Sequence, residues 1–186
     1  TVVRSAATGH KAQNRGPVNV TDFVLAYARD KARWRCTPLV RARRGYDEAY
    51  GQFVENRDSP PAEWRLVPLR DRVARELGAA SARAARATLG KAAFEERVHA
   101  FALAHADAVC RFAQPRYDAV SKAARALIDR SRREPERTFV LARPARPPLV
   151  LRGGNRLLFL ASKVAEIDGA RALVEPLTNV WDDLPF

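Results

Sequence analysis

The chain has 186 residues, of which 47% are hydrophobic, 33 are Lys or Arg and 21 are Asp or Glu. This hydrophobic content excludes a chain that is disordered throughout, and no apolar run approaches the ~20 residues of a membrane-spanning helix. The net charge of +12 favours an anionic partner: RNA, an anionic membrane face or an acidic protein surface. A GC-rich genome or a basic organellar matrix accounts for the same charge equally well, so both interpretations stay open.

Residues 1–18 are predicted to form an extended arm, because they contain Gly and Pro but no apolar periodicity. The chain contains no Met, begins at Thr1 and has no acidic residue before Thr21. We expect a mature form from which an organellar targeting segment has been removed, with a mitochondrial location on the matrix side. The alternative is that the numbering starts at an engineered or trimmed end.

Residues 19–177 are predicted to form one helical domain of five to seven helices. Apolar residues recur every three or four positions, which is typical of an amphipathic helix. The clearest stripe runs from Phe94 through Val98 and Phe101 to His105, Val109 and Phe112. Helices are expected over 22–34, 45–59, 69–89, 92–112, 115–133 and 155–167, with a last turn or two over 170–174.

Two features interrupt the helical pattern near the end of the chain. Residues 137–141 and 149–151 are β-prone runs flanked by Pro144, Pro147 and Pro148, which predict an extended crossing or a small hairpin. Residues 178–186 form an acidic and aromatic tail in which Trp181, Leu184 and Phe186 are candidate anchors. The tail would dock into a partner's groove or onto this protein's own basic face.

No residue is assigned as catalytic, cofactor-binding or metal-binding, and we expect no enzyme activity. His105 lies on an apolar stripe and is predicted to be a core residue, while His99 lies on a different face of the same helix. The segment from Arg152 to Asn155 could cradle a phosphate, but a helix entry turn is favoured because no phosphate-loop pattern is present. Cys36 and Cys110 lack metal-ligand spacing and are interpreted as buried free thiols, with one disulfide as the alternative.

Arginines cluster at three places in the sequence. Each cluster could contact phosphates or could be a solvated helix face with local acidic partners, and the sequence does not show whether the clusters converge. The three clusters are Arg41, Arg43 and Arg44; Arg83 and Arg86; and Arg130, Arg132 and Arg133.

The segment from Gly45 to Glu55 resembles the second helix of a pentatricopeptide or tetratricopeptide-type helical hairpin, whose pattern is G-x-x-D-E-A-x-x-L-F-x-E. Val20, Thr21, Leu25 and Ala28 match the first helix of such a hairpin. The resemblance implies an all-α fold of stacked helical hairpins (PPR/TPR-like) with extended N- and C-terminal arms.

In size, processing and hairpin character the chain is also similar to the 18-kDa accessory subunit family of the euglenozoan mitochondrial ATP synthase catalytic head. This resemblance implies a non-catalytic structural subunit, without a cofactor, that binds the F1 head through protein–protein contacts with the α-type subunit. The alternative is an RNA-contacting mitochondrial ribosomal or RNA-processing protein.

Overall fold

The computed structural model describes residues 2–3, 21–22, 29–30, 32–33, 39–43, 45–144 and 146–176. The chain divides into two compact units: residues 42–174 form one, and residues 1–41 together with 175–186 form the other. The predicted arm at 1–18, helix at 22–34 and tail at 178–186 lie outside the described residues, except for Val2–Val3, Asp22 and positions 29–30 and 32–33.

The described residues form a mixed α/β structure that is 37% helical and 31% strand, so the all-α prediction is wrong. The helices are α1 (Leu69–Glu76), α2 (Ala82–Leu89), α3 (Lys91–Ala104) and α4 (Lys122–Arg133), with short 3-10 helices at Pro61–Glu63, Tyr117–Ala119 and Leu160–Lys163. The strands are β1 (Val2–Val3), β2 (Thr21–Asp22), β3 (Val40–Ala42), β4 (Gln52–Val54), β5 (Leu66–Pro68), β6 (Val109–Ala113), β7 (Thr138–Arg143), β8 (Arg146–Arg152), β9 (Asn155–Phe159), β10 (Val164–Ile167) and β11 (Ala170–Pro176).

Six strands form one antiparallel sheet in the order β5-β4-β6-β9-β8-β7, and a smaller sheet has the order β10-β11-β3. A separate antiparallel pair joins β1 to β2. In the large sheet, Phe53 lies opposite Val109, and Ala113 lies opposite Arg156. Because side chains alternate between the two faces of a strand, Phe53, Val109, Ala113 and Arg156 all lie on one face, called here the helix face.

Helices α1, α2 and α3 cover the helix face over β4 and β6. Phe94, Val98 and Phe101 of α3 are buried against Phe53 and Val109, so this part of the predicted stripe is confirmed as core. The predicted single helix over 69–89 is instead two helices, and the helix over 92–112 ends at Ala104. Its last four residues, 109–112, belong to β6, because the sheet there offers Val109 and Cys110 burial on opposite faces.

Helix α4 covers the other half of the helix face, over β7 and β8. Its residues Ala124 and Ile128 pack against Phe139, Leu149 and Leu151, and Ile128 is completely buried. Ser121 caps the helix by accepting a hydrogen bond from the Ala124 N–H at 3.3 Å. The predicted helix at 115–133 is therefore present from Lys122 onward, and the β-prone runs at 137–141 and 149–151 are confirmed as strands of one hairpin.

The opposite face of the sheet is covered by the connection between β4 and β5. Trp64 of this connection packs with Val54, Cys110, Val150 and Leu157, and its Nε1–H donates to the Ser59 carbonyl at 2.9 Å. This face is therefore called the loop face.

Two tight hairpins replace the helices predicted at 155–167 and 170–174. Gly153 and Gly154 connect β8 to β9 with φ of 56° and 77°, and Asp168 and Gly169 connect β10 to β11 with φ of 52° and 75°. Two consecutive positive φ angles define the turn whose twist matches an antiparallel hairpin, and Gly or Asp adopts them at least cost. The helix entry turn favoured for 152–155 is therefore wrong, because both glycines belong to a strand connection.

The predicted helix at 45–59 is also absent. Tyr50 is buried, Gln52 to Val54 form β4 between β5 and β6, and Asp47 accepts a hydrogen bond from the Ala49 N–H in a turn. Phe53 thus reaches the core as a strand residue, which a period of four in the sequence cannot distinguish from a helix over so short a segment.

Candidate functional site: a basic groove on the helix face

A cavity of about 470 Å³ lies on the helix face beside the N-terminal end of α4. It is bordered by β6, by the connection from β6 to α4, and by parts of β7, β8 and β9. Its lining residues are Ala113, Gln114, Pro115, Arg116, Ala119, Val120, Ser121, Ala124, Arg143, Arg146, Leu149 and Arg156. This cavity is called here the basic groove, because four of these residues are arginines and none of the described residues that line it is acidic.

The four arginines come from three separate parts of the chain. Arg116 lies in the connection that leads from β6 to α4, Arg143 and Arg146 flank the turn between β7 and β8, and Arg156 lies on β9. Arg156 is opposite both Ala113 and Leu151, which places it on the same face of the sheet as α4. The antiparallel pairing of distant strands is therefore what brings these charges together.

Three of the four guanidinium groups have no partner among the described residues. Within the described part of the chain, the side chains of Arg116, Arg146 and Arg156 make no hydrogen bond or ion pair. Arg143 donates to the Pro147 carbonyl through Nε at 2.9 Å, and also through Nη2, which holds its side chain across the hairpin turn. The groove thus presents positive charge that the described residues do not neutralise.

Below the arginines the groove has an apolar floor. Leu149 is 4% exposed and packs with Ala124 in the core beneath α4, and Val120 packs against the same core cluster. The groove therefore combines cationic groups at its rim and wall with a hydrophobic base, which is the usual composition of a ligand-binding cleft.

Five members of the arginine clusters that stand out in the sequence pair with acidic residues. Arg130 pairs with Glu134 at 3.0 Å, Arg132 with Asp129 at 3.1 Å, and Arg43 with Asp47 at 3.2 Å. Arg86 pairs with Glu95, and Arg41 with Glu175 at 2.9 Å. Arg83 and Arg133 are exposed, and Arg44 lies outside the described residues. The paired members fit the interpretation of a solvated helix face with nearby acids.

The groove arginines escaped sequence reasoning because they are separated by up to forty positions, from 116 to 156. Arg143 and Arg146, on either side of Pro144, were the available signal. Recognising them required the interpretation of this region as a hairpin, with Arg156 on the strand that follows it.

The two candidate histidines do not form a site. His105 ends α3 and is exposed, with its ring against Phe101 and Phe53 at centroid distances of 4.4 and 6.1 Å, so the prediction of a core histidine is wrong. His99 borders a different cavity, and His10 lies outside the described residues. Among the residues that the structure describes, no group of three or more His, Cys, Asp or Glu side chains could hold a metal ion.

Cys110 is a completely buried free thiol on the loop face, which confirms the prediction for this residue. Burial raises its pKa to about 12, with the positive charges of Arg57 and Arg152 opposing the shift. A thiol with this pKa is protonated at neutral pH and is a poor nucleophile. Cys36 lies outside the described residues.

A second cavity, of about 710 Å³, lies beside α3 and has acidic character. It is lined by Gly45, Tyr46, Glu48, Ala92, Ala93, Glu95, Glu96 and His99. Burial raises the pKa of Tyr46, whose hydroxyl donates to the Tyr50 carbonyl. This cavity has the wrong charge for the anionic partner that the composition favours.

An ion-pair cluster forms one wall of the acidic cavity. Glu95 of α3 accepts from Arg70 Nε at 3.2 Å and Arg70 Nη2 at 2.9 Å, and it also accepts from Arg86 of α2. The hydrogen bonds from Arg70, followed by those from Arg86, hold the pKa of Glu95 below its usual range. The cluster links α1, α2 and α3, so its role is structural.

Arg152 likewise makes structural contacts within the protein. It is 9% exposed on the loop face, and its guanidinium donates to the Trp64 carbonyl at 2.9 Å and to Glu136 at 2.8 Å. Its contacts fasten the covering loop to β7 and β8. This residue therefore contributes no charge to a ligand.

Comparison with protein-family models, curated proteins and solved structures found no match to this chain. In the described part of the chain, every helix is too short or too polar to cross a bilayer. The site therefore has to be interpreted from its own chemistry.

Proposed function

We propose that this protein binds RNA through the basic groove. The observation that carries the proposal is the convergence of Arg116, Arg143, Arg146 and Arg156 around one cavity, whose described lining residues include no acid. An anion bound there gains charge-assisted hydrogen bonds from guanidinium groups that no described side chain occupies. Arginine also matches the geometry of phosphate oxygens better than lysine does.

Two properties support a nucleic acid over a small inorganic anion. The net charge of +12 attracts a long polyanion from solution more strongly than a single ion. The groove is also lined by four arginines from three separate parts of the chain, which is more than one small anion needs.

The accessory-subunit role on the ATP synthase head, the mitochondrial location and the absence of enzyme activity stay predictions. The helical-hairpin resemblance that supported these predictions is weaker, because residues 45–55 form a turn and a strand. RNA contact was the alternative, and the basic groove now supports it with a specific set of residues.

The test compares two double variants that lose the same charge. Arg146→Gln with Arg156→Gln removes two groove arginines that have no described partner, so no described contact within the protein is broken. Arg83→Gln with Arg97→Gln removes two exposed arginines from α2 and α3, away from the groove. Binding of a fluorescent single-stranded RNA is measured by anisotropy over a range of salt concentrations.

We expect the groove variant to lose about tenfold or more in affinity, because a hydrogen bond to a charged group contributes about 1.5–3 kcal/mol. The slope of log affinity against log salt should decrease in magnitude by about 1.4, which is two contacts at ~0.7 each for a single strand. The control variant should keep most of its affinity. Equal losses in both variants would show that binding follows net charge alone, and the proposal would be rejected.

A further inference from the structure

We infer that the basic groove accepts one unpaired nucleotide, with its phosphate on the arginines and its base against the apolar floor. This inference rests on the proposed RNA-binding function and specifies the form of nucleic acid that the groove takes.

The basic groove is large enough to enclose a small organic group. A cavity of about 470 Å³ lies within the range of clefts that enclose small organic ligands, about 300–1,000 Å³. A surface that contacts only the backbone of a duplex needs no such cavity, because duplex phosphates lie on the outside of the helix. A volume of this size is used only if part of the ligand enters it.

The floor of the basic groove is apolar. Leu149, Val120 and Ala124 form its apolar base, and phosphate gains nothing from contact with them. A base is the flat, weakly polar part of a nucleotide, and it is available for such contact only when it is unstacked and unpaired. The floor thus fits a base from a single strand or from a free nucleotide.

The four arginines of the groove differ in how exposed they are. Arg156 is half-buried on β9, whereas Arg116 and Arg146 are exposed at the rim. Arg143 is half-buried, and its Nε is held 2.9 Å from the Pro147 carbonyl. Arginine planes at the wall of a cleft can stack on a base as well as bind phosphate, so the arrangement serves both parts of one nucleotide.

The experiment fills the groove without changing its charge. Ala119 is exposed in the short 3-10 helix at Tyr117–Ala119 and lines the groove. Ala119→Phe should lower the affinity for single-stranded RNA by about tenfold, the range expected for one base contact, and leave duplex RNA within about twofold. The matched control is Ala62→Phe, at an exposed alanine of the 3-10 helix Pro61–Glu63 on the loop face.

A competition assay separates the nucleotide from its phosphate. Uridine monophosphate should displace labelled single-stranded RNA from the wild-type protein at a concentration at least about tenfold lower than inorganic phosphate does. If phosphate competes as well as the nucleotide, the floor does not contribute and the inference is wrong.

The two proposals fail in different ways. If Arg146→Gln with Arg156→Gln weakens RNA binding but Ala119→Phe affects single-stranded and duplex RNA equally, the groove binds RNA only through its backbone. That result overturns the unpaired-nucleotide inference and leaves the proposed function standing. If neither variant changes binding more than its control, both are overturned.

Discussion

Replacing Glu95 by Gln tests whether the ion-pair cluster, and not general packing, holds α1, α2 and α3 together. Glu95 receives hydrogen bonds from Arg70 of α1 and Arg86 of α2, and its side chain is only 25% exposed. A glutamine keeps one acceptor oxygen but turns an amide N–H₂ toward a guanidinium, so at least one charged hydrogen bond is lost. Because such bonds contribute about 1.5–3 kcal/mol, we expect a loss of about 2 kcal/mol in the free energy of unfolding at pH 7.

The stability difference between wild type and Glu95→Gln should depend on pH. The pKa of Glu95 is lowered in the folded state, so its contribution to stability is fully present above the ordinary glutamate pKa. The contribution is lost as the pH falls through the lowered folded-state value. The difference between wild type and Glu95→Gln should therefore shrink when the pH is brought from 7 to below the usual glutamate range.

Urea unfolding at several pH values, followed by circular dichroism, measures both effects. With an m-value of about 2 kcal/mol/M, the midpoint at pH 7 should fall by about 1 M urea. Glu76→Gln is the control, because Glu76 forms an exposed pair with Arg72 one helical turn away and should cost about 0.5 kcal/mol or less. An unchanged midpoint for Glu95→Gln at pH 7, or a loss that is the same at every pH, would refute the reasoning.

Two further predictions concern the core. Ile128→Ala removes a completely buried side chain between α4 and the sheet. It should lower the free energy of unfolding by about 2–5 kcal/mol and the melting temperature by about 10 °C. Leu89→Ala, at a position 43% exposed, should change the melting temperature by only a few degrees. Calorimetry measures both, and similar shifts for the two variants would contradict the core described for α4. In a Cys36→Ser background, Cys110 is the single thiol and should not react with a chromogenic disulfide reagent at pH 8 until denaturant is added, because it is buried and its pKa is raised to about 12. Stoichiometric labelling of the folded protein within seconds would show that Cys110 is accessible.

The helical half of the described structure follows from local sequence patterns. Phe94, Val98 and Phe101 recur on one face of a segment rich in helix formers, and the buried face of α3 contains all three. Ser81 and Ser121 provide N-caps for α2 and α4, each accepting from a backbone N–H three residues later. Patterns of this kind involve contacts within one or two turns, so they are legible in a linear sequence.

The strands were mostly missed for a physical reason. β4 has only three residues, so the spacing of Phe53 could not indicate whether the segment is a helix or a strand. The turns Gly153-Gly154 and Asp168-Gly169 were the better signals, because residue pairs of this type are typical of two-residue hairpins. Given those hairpins, β8 with β9 and β10 with β11 would have been predicted.

The sequence by itself determined the excess of positive charge, the buried stripe of α3 and the strand character of residues 137–141 and 149–151. Only the tertiary structure decided which charges remain unpaired. Clusters of arginine close in sequence, such as Arg130 and Arg132, find acids within one helical turn. Arg116, Arg146 and Arg156 meet in one groove because antiparallel pairing brings together strands that lie far apart in the chain, and no local pattern encodes that pairing.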